Sequence, residues 1–301
     1  MPWNALKVIV MPVRNIIIAG CLSILLVGVE PSGADDVLLV PIPEDAGLSP
    51  KIINGNKAKR ADWPATLTFT SDAGECTATA IGERVIVTAA HCVGDRSKVQ
   101  VLLSNEITDL TCEHHRDYND HPPGKIFACH KMVAPEDIVS CTADIALCVA
   151  DAKQTIPTTG RKFERIKVTP PGATPHQPIT LLGYGCITAG GQMSVDLNVG
   201  TPEVVWTSRP NASKNPKDSY EEFIKTKGAA TCQGDSGGAG YSTADPNSRE
   251  IIAISSRGNL STDSFLVNVL DQRIIDFFGE FSQRHGALIC GRDSHAMNCV
   301  F

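Results

Sequence analysis

Three short stretches hold residues whose types could do nucleophilic chemistry: Thr231–Gly240 (TCQGDSGGAG), Thr88–Cys92 (TAAHC) and Asp144–Leu147 (DIAL). A serine hydroxyl is a weak nucleophile at neutral pH; it needs a base to take its proton and a carboxylate to orient that base. Ser236 sits among glycines, directly after Asp235. Glycines allow backbone conformations that other residues resist. A Gly-rich turn can therefore aim bare N–H groups at the oxygen of an attacked carbonyl. His91 follows an apolar run, and the small residues before it permit a tight turn. Cys92 could pin that turn to Cys76, closing a loop of about 16 residues, worth roughly 3 kcal/mol in the chain-entropy model. Asp144 stands at the mouth of another apolar run, and a buried carboxylate needs a partner such as an imidazole N–H. Singly, these are a surface loop of small residues, a structural histidine and a strand-edge turn. Together they point to acyl transfer, with Ser236 attacking, His91 as base and Asp144 orienting it.

Such groups need rigid supports. Residues 52–148 alternate turns with short apolar runs, ATLTF, TATAI, RVIVTAA, VQVLL and IALCV, whose β-branched content predicts strands. Residues 150–178 are polar and carry five prolines, as a crossover between two halves would. Strand-like runs resume at ITLLGYG, EVVWT, IIAISS and FLVNVL. In residues 271–284 the apolar Ile274, Ile275, Phe277, Phe278 and Phe281 share one helical face. Asp271 at the start and Arg284-His285-Gly286 at the end are helix start and stop signals. The chain reads as all-β, in two halves, closed by a C-terminal α-helix.

The 301 residues, 42% hydrophobic and 20% charged, suffice for a substantial core in one or two domains. A net charge of −6 without a basic run argues against nucleic acid as a partner. Lys7 and Arg14 precede the apolar run Ile16–Val29, and small residues stand at Ser32 and Ala34. Residues 1–34 therefore read as a secretory signal cut after Ala34. Two alternatives are a membrane anchor through residues 16–29, a run whose 14 residues are short for a span, and a lipid on Cys21. Residues 35–51 form an acidic, Pro-containing segment ending in Lys51. Without Cys21, ten of the eleven cysteines remain; in an exported chain these predict up to five disulfides. No C-x-x-C occurs, which disfavours zinc. Cys112–His121 (CEHHRDYNDH) is rich in ligand types for calcium or zinc, but its spacing fits a solvated loop. No metal or cofactor is expected. Asn211-Ala-Ser213 and Asn259-Leu-Ser261 are glycosylation sequons in a host that uses them.

TAAHC, DIAL and GDSGG, in that order and with the key positions 53 and 92 residues apart, resemble the chymotrypsin-like (trypsin-fold) serine peptidases. The resemblance runs from about Ile52 to Phe278. It implies two six-stranded antiparallel β-barrels, about 52–160 and 175–270, and the helix 271–284. The peptidase domain would be 52–285, followed by a tail, 286–301. It also implies that His91 acts as general base and then general acid. Asp144 would fix its tautomer, Ser236 would attack, and the N–H groups of Gly234 and Ser236 would form the oxyanion hole. Lys51-Ile52-Ile53-Asn54-Gly55 is similar to the family's activation site. Residues 35–51 would then be a propeptide, and an activating protease would cut after Lys51. The freed Ile52 amine would pair with Asp235. Gly183-Tyr184-Gly185 resembles the family's Gly-Trp-Gly. Ser256-Arg257-Gly258 resembles its Ser-Trp-Gly, where Ser256 would touch Asp144 and Gly258 would bond substrate backbone.

The substrate pocket implied by the resemblance comprises Ala230, Thr231, Gln233, Ser256, Arg257, Gly258 and Ser264. Ala230 replaces the acidic residue of trypsin-like enzymes, and burying a substrate cation there would be costly. A small or apolar P1 residue is expected, not Lys or Arg; an acidic one attracted by Arg257 is the alternative. Expected disulfides are Cys76–Cys92, the local pairs Cys112–Cys129 and Cys290–Cys299, Cys141–Cys148 bracketing Asp144, and Cys186–Cys232, because Cys232 lacks the partner usual in the family. The expected protein is a monomeric, secreted serine endopeptidase acting on proteins or peptides. The competing reading is a non-catalytic binding pseudopeptidase on the same fold.

Overall fold

The computed structural model describes residues 52–94, 97–118, 143–207 and 223–300. The signal, the propeptide, Lys51, Cys129, Cys141 and the sequon at Asn211 lie outside them. The first half contains β2 (Thr66–Ser71), β3 (Gly74–Ala80), β4 (Val85–Thr88), β5 (Lys98–Leu103), β6 (Glu106–His114) and β7 (Ala146–Ala150). They close into an antiparallel barrel in the order β2-β3-β4-β7-β6-β5. Alternation sets its inside: Val101 and Leu103 of β5 and Thr108, Leu110 and Cys112 of β6 are buried, while Lys98, Gln100 and Asp109 face out. β4 and β7 are buried at every position, because each serves two cores. Ile86, Ala146 and Cys148 fill the barrel. Val85, Val87, Leu147 and Val149 pack into the cluster that includes Tyr241, Ile254, Phe278 and Phe281 of the second half.

The second half holds β8 (Thr180–Gly183), β9 (Asn198–Gly200), β10 (Glu203–Thr207), β11 (Phe223–Lys227), β12 (Ala239–Tyr241), β13 (Ile251–Gly258) and β14 (Asp263–Asn268). With β1 (Asn56–Lys57) they form one sheet in the order β1-β9-β8-β12-β13-β14-β11-β10. The expected all-β, two-half architecture with a closing helix is thus present. Among the described residues the first half closes fully and the second keeps edges at β1 and β10. α1 (Gln272–His285) begins at Asp271, whose carboxylate accepts the Arg273 N–H at 2.9 Å, and ends at Gly286 in the left-handed region. Ile274, Phe277, Phe278 and Phe281 form its buried stripe.

Two features tie the halves together. Arg249 and Glu164 form a fully buried bidentate pair, Nε–Oε2 2.9 Å and Nη2–Oε1 2.6 Å. The guanidinium lies 3.9 Å from the Trp63 ring centroid. The tail is also part of the body. The Cys290 N–H donates to Ile81 O (2.7 Å), Ile166 N–H donates to Cys290 O (2.9 Å), and Val300 N–H donates to Phe163 O (2.7 Å).

Cys76–Cys92, Cys186–Cys232 and Cys290–Cys299 are bonded. Cys112 is bonded to Cys148, which corrects two expected pairs, Cys112–Cys129 and Cys141–Cys148. The cause is register: Cys112 on β6 stands directly opposite Cys148 on β7, so two residues 36 apart in sequence meet.

Candidate active site

β4 and β7 are antiparallel neighbours, with Thr88 opposite Ala146. His91, just past the end of β4, and Asp144, just before the start of β7, therefore arrive at the same end of the barrel. A single 3₁₀ turn, Ala90–Cys92, carries His91, and the Cys76 disulfide anchors that turn to β3. The Asp144 carboxylate is buried and accepts three hydrogen bonds. They come from His91 Nδ1 (2.8 Å), His91 backbone N–H (3.0 Å) and the Ser256 hydroxyl (2.6 Å). Burial by itself raises the affinity of this carboxyl for a proton. Attraction and hydrogen bonding from His91, the Arg257 charge and the Ser256 hydroxyl outweigh it and hold Asp144 well below the usual carboxylate range. It stays a carboxylate, which keeps the proton of the neutral imidazole on Nδ1 and leaves Nε2 as the basic nitrogen.

Ser236 lies in the turn between Thr231 and β12. Its hydroxyl donates to Ser256 O at 3.4 Å, and it lines the same 400 Å³ cleft as His91. Gly234 has φ +96°, and a Cβ there would stand 2.7 Å from Met193 Cγ and 3.0 Å from Gly185 Cα. Gly237 has φ +82°, and a Cβ would collide with Thr88 and Thr77. Only glycine suits both places. The N–H groups of Asp235 and Gly238 are used inside the turn, on Cys232 O and Asp235 O, and that of Gly237 donates to Ser255 O on β13. Among the described residues, those of Gly234 and Ser236 make no internal hydrogen bond.

Asp235 is fully buried. Its carboxyl accepts the Gly185 N–H (2.7 Å) and the Cys232 N–H (2.8 Å). Burial pushes its pKa up to about 7, against the pull of those two N–H groups. The Cys186–Cys232 disulfide and the Cys186 N–H to Gln233 O bond (2.8 Å) lace this turn to the Gly183–Gly185 segment. Ile52 is fully buried at φ +55°, a strained conformation for a β-branched residue. The next residue, Ile53, accepts the Ala230 N–H at 2.9 Å.

Of the expected pocket residues, Thr231, Gln233, Ser256, Arg257 and Gly258 line the cleft. Ala230 and Ser264 are fully buried behind its wall, Ser264 Oγ accepting the Thr231 N–H at 2.8 Å. Thr231 spans the narrow space beside Gly258 and donates to Arg257 O at 3.4 Å. The Arg257 guanidinium lies 4.9 Å from the Phe223 ring centroid.

Sequence reasoning missed three residues. Leu260 also lines the cleft, on a loop organised by Asn259. The Asn259 Oδ1 accepts the N–H groups of Ser261, Thr262 and Asp263 at 2.9–3.0 Å. Thr77, buried on β3, hydrogen-bonds the turn that carries Ser236. The turn residue before three N–H groups was a readable signal for Asn259; a threonine inside a strand gave none. His115 of the His-rich loop is buried, with Nε2 3.3 Å from Arg273 O and its ring edge on Phe277; residues 119–121 lie outside the described set. Cys76, His91 and Cys92 come close enough to suggest a metal, but a disulfide occupies both sulfurs.

A family model named Trypsin matches residues 52–269. The chain is 26% identical to a trypsin of Saccharopolyspora erythraea over 211 residues, 62% of this chain and 80% of that protein. It is 23% identical to chymotrypsin-like elastase family member 1 of Felis catus, and 24% identical to that of Rattus norvegicus, over 203 residues in each case. Both matches take 62% of this chain and 72% of the relative. With the fold, the ordered motifs and a match over most of its length in agreement, this chain belongs to the trypsin family and carries a serine protease domain.

Proposed function

We propose that this protein is a secreted serine endopeptidase, made as a zymogen and switched on by cleavage after Lys51. The observation that carries the reading is the buried Asp144 carboxylate, bonded twice to His91 and once to Ser256, beside a cleft that also holds Ser236. In the reaction His91 Nε2 takes the Ser236 Oγ proton as Oγ attacks the substrate carbonyl carbon. The carbonyl oxygen becomes an oxyanion held by the N–H groups of Gly234 and Ser236. Each such donor is worth about 100–1000-fold in rate. The imidazolium, paired with Asp144, then gives its proton to the leaving amine. A water deprotonated by the same nitrogen hydrolyses the acyl-enzyme and restores Ser236.

The zymogen reading rests on Asp235 and Ile52. A buried carboxylate calls for a cation, and among the described residues Asp235 faces only backbone N–H groups. Cleavage after Lys51 would supply that cation as the Ile52 amine, in a segment already seated on Ala230. Thr231 and Leu260 leave room for a small P1 side chain, a preference in keeping with relatives named as elastases. The four disulfides among the described residues suit an oxidising compartment, and the protein is expected to act as a monomer. The test is turnover of peptides with Ala, Val, Leu, Lys or Asp at P1, before and after nicking at Lys51, for the wild type, Lys51→Gln and Ser236→Ala. Turnover of small P1 peptides by nicked wild type alone supports the reading. Activity in Lys51→Gln removes the zymogen step. Equal activity in Ser236→Ala removes the mechanism.

A further inference from the structure

Thr77 is fully buried in the first barrel, yet it makes three hydrogen bonds to the turns that build the site in the second half. Its hydroxyl donates to Gly234 O at 2.7 Å and accepts the Tyr184 N–H at 3.1 Å. Its backbone N–H donates to Ser236 O at 2.9 Å. The Thr88 hydroxyl in turn donates to Thr77 O at 2.9 Å. Chemistry fixes the direction of each bond. Tyr184 N–H can only donate, so the single hydroxyl proton must go to Gly234 O.

We propose that Thr77 is a positioning residue for the oxyanion turn; the inference rests on the catalytic reading above. Gly234 has no side chain of its own to resist a swing of its peptide planes. The Thr77 hydroxyl holds the Gly234 carbonyl, the Thr77 N–H holds the Ser236 carbonyl, and the two anchors flank Asp235. Each held carbonyl lies in the peptide plane that follows its residue's Cα, so fixing it restrains ψ at Gly234 and at Ser236. With Gln233 O held by the Cys186 N–H and Asp235 O by the Gly238 N–H, the adjoining planes, which carry the Gly234 and Ser236 N–H groups, keep their orientation. Those N–H groups bind charge that develops only in the transition state. Loss of the hydroxyl should therefore reach kcat and leave substrate binding largely alone.

The test compares Thr77→Val, near-isosteric and without the hydroxyl, and Thr77→Ala with Thr77→Ser, which keeps it. Each is made in the full-length chain, nicked at Lys51 and checked by thermal melting. Thr77→Val is expected to lose about 10–100-fold in kcat with KM within about threefold. Its affinity for a peptidyl boronate should fall by a similar factor and its affinity for a product peptide should not. Thr77→Ser should keep kcat within about threefold of wild type. If Thr77→Val does not fold, Thr77→Ala carries the same expectations. Unchanged kcat without the hydroxyl, a loss confined to KM, or a serine variant as impaired as valine would overturn the proposal. Amide exchange at Tyr184 is read in parallel. It should quicken in Thr77→Val and Thr77→Ala and stay slow in Thr77→Ser; equal protection in all of them overturns the proposal as well. If nicked wild type neither turns over peptide nor binds boronate, the catalytic reading falls, and the exchange result still decides whether Thr77 orders the turn.

Discussion

Asparagine in place of Asp235 isolates the buried carboxyl that precedes Ser236, the proposed nucleophile. In the uncut chain this carboxyl keeps its proton up to a pH of about 7, against an ordinary value of 3.8, because burial penalises the charged form more than the Gly185 and Cys232 N–H groups stabilise it. The folded state therefore binds a proton that the unfolded state has already released. Its contribution to stability is fully present below about pH 3.8, falls as pH rises through the window and is lost above about 7. A rise of about three pKa units, at about 1.4 kcal/mol each, amounts to about 4 kcal/mol. The assay is urea unfolding of the uncut protein at steps from pH 4 to pH 8, with Lys51→Gln and Ser236→Ala present to prevent cutting. The stability difference between this parent and the same chain carrying Asp235→Asn should change by about 4 kcal/mol across that range, with the parent losing ground as pH rises. Nicking with Lys51 restored should recover stability at pH 8 in the parent and not in the Asp235→Asn protein, since only a carboxylate attracts the Ile52 amine. A difference flat to within about 1 kcal/mol from pH 4 to pH 8 would refute the reasoning.

Ser256→Ala removes one of three hydrogen bonds to Asp144 and should lower kcat/KM about tenfold, since a bond to a charged group contributes about 1.5–3 kcal/mol; steady-state kinetics on a P1-Ala peptide checks it. Arg249→Met strands Glu164 in the core and should cost about 3–5 kcal/mol in urea unfolding, with much of the loss recovered when Glu164→Leu is added. Thr231→Gly empties the space beside Gly258 and should shift P1 preference from Ala toward Leu; an unchanged preference in a peptide series would place the size limit elsewhere.

Much of the candidate site was legible because the proposed chemistry calls for few residue types. A base, its orienting carboxylate and a nucleophile in a glycine turn suit His, Asp and Ser in motifs that stay local in sequence. β-Branched runs and the Phe277–Phe281 stripe likewise announce strands and a helix. What stayed hidden depends on register and on long-range packing. Cys112 meets Cys148 only because β6 and β7 pair in one register. Thr77 is one of two threonines on β3, and only its position under Gly234 distinguishes it. The Arg249–Glu164 pair joins residues 85 apart, with no local pattern to mark either as buried. Ala230 and Ser264 sit behind the cleft wall instead of in it, because Thr231 comes forward, bonded to both Ser264 and Arg257.

Reaction with a fluorophosphonate probe, before and after nicking at Lys51, with the labelled residue located by mass spectrometry, tests the proposed catalysis most directly. Label on Ser236 in the nicked protein, and little or none in the uncut protein, is the expected result. Absence of label in both forms of folded, disulfide-bonded protein would contradict an active serine nucleophile and favour a binding protein built on the same fold.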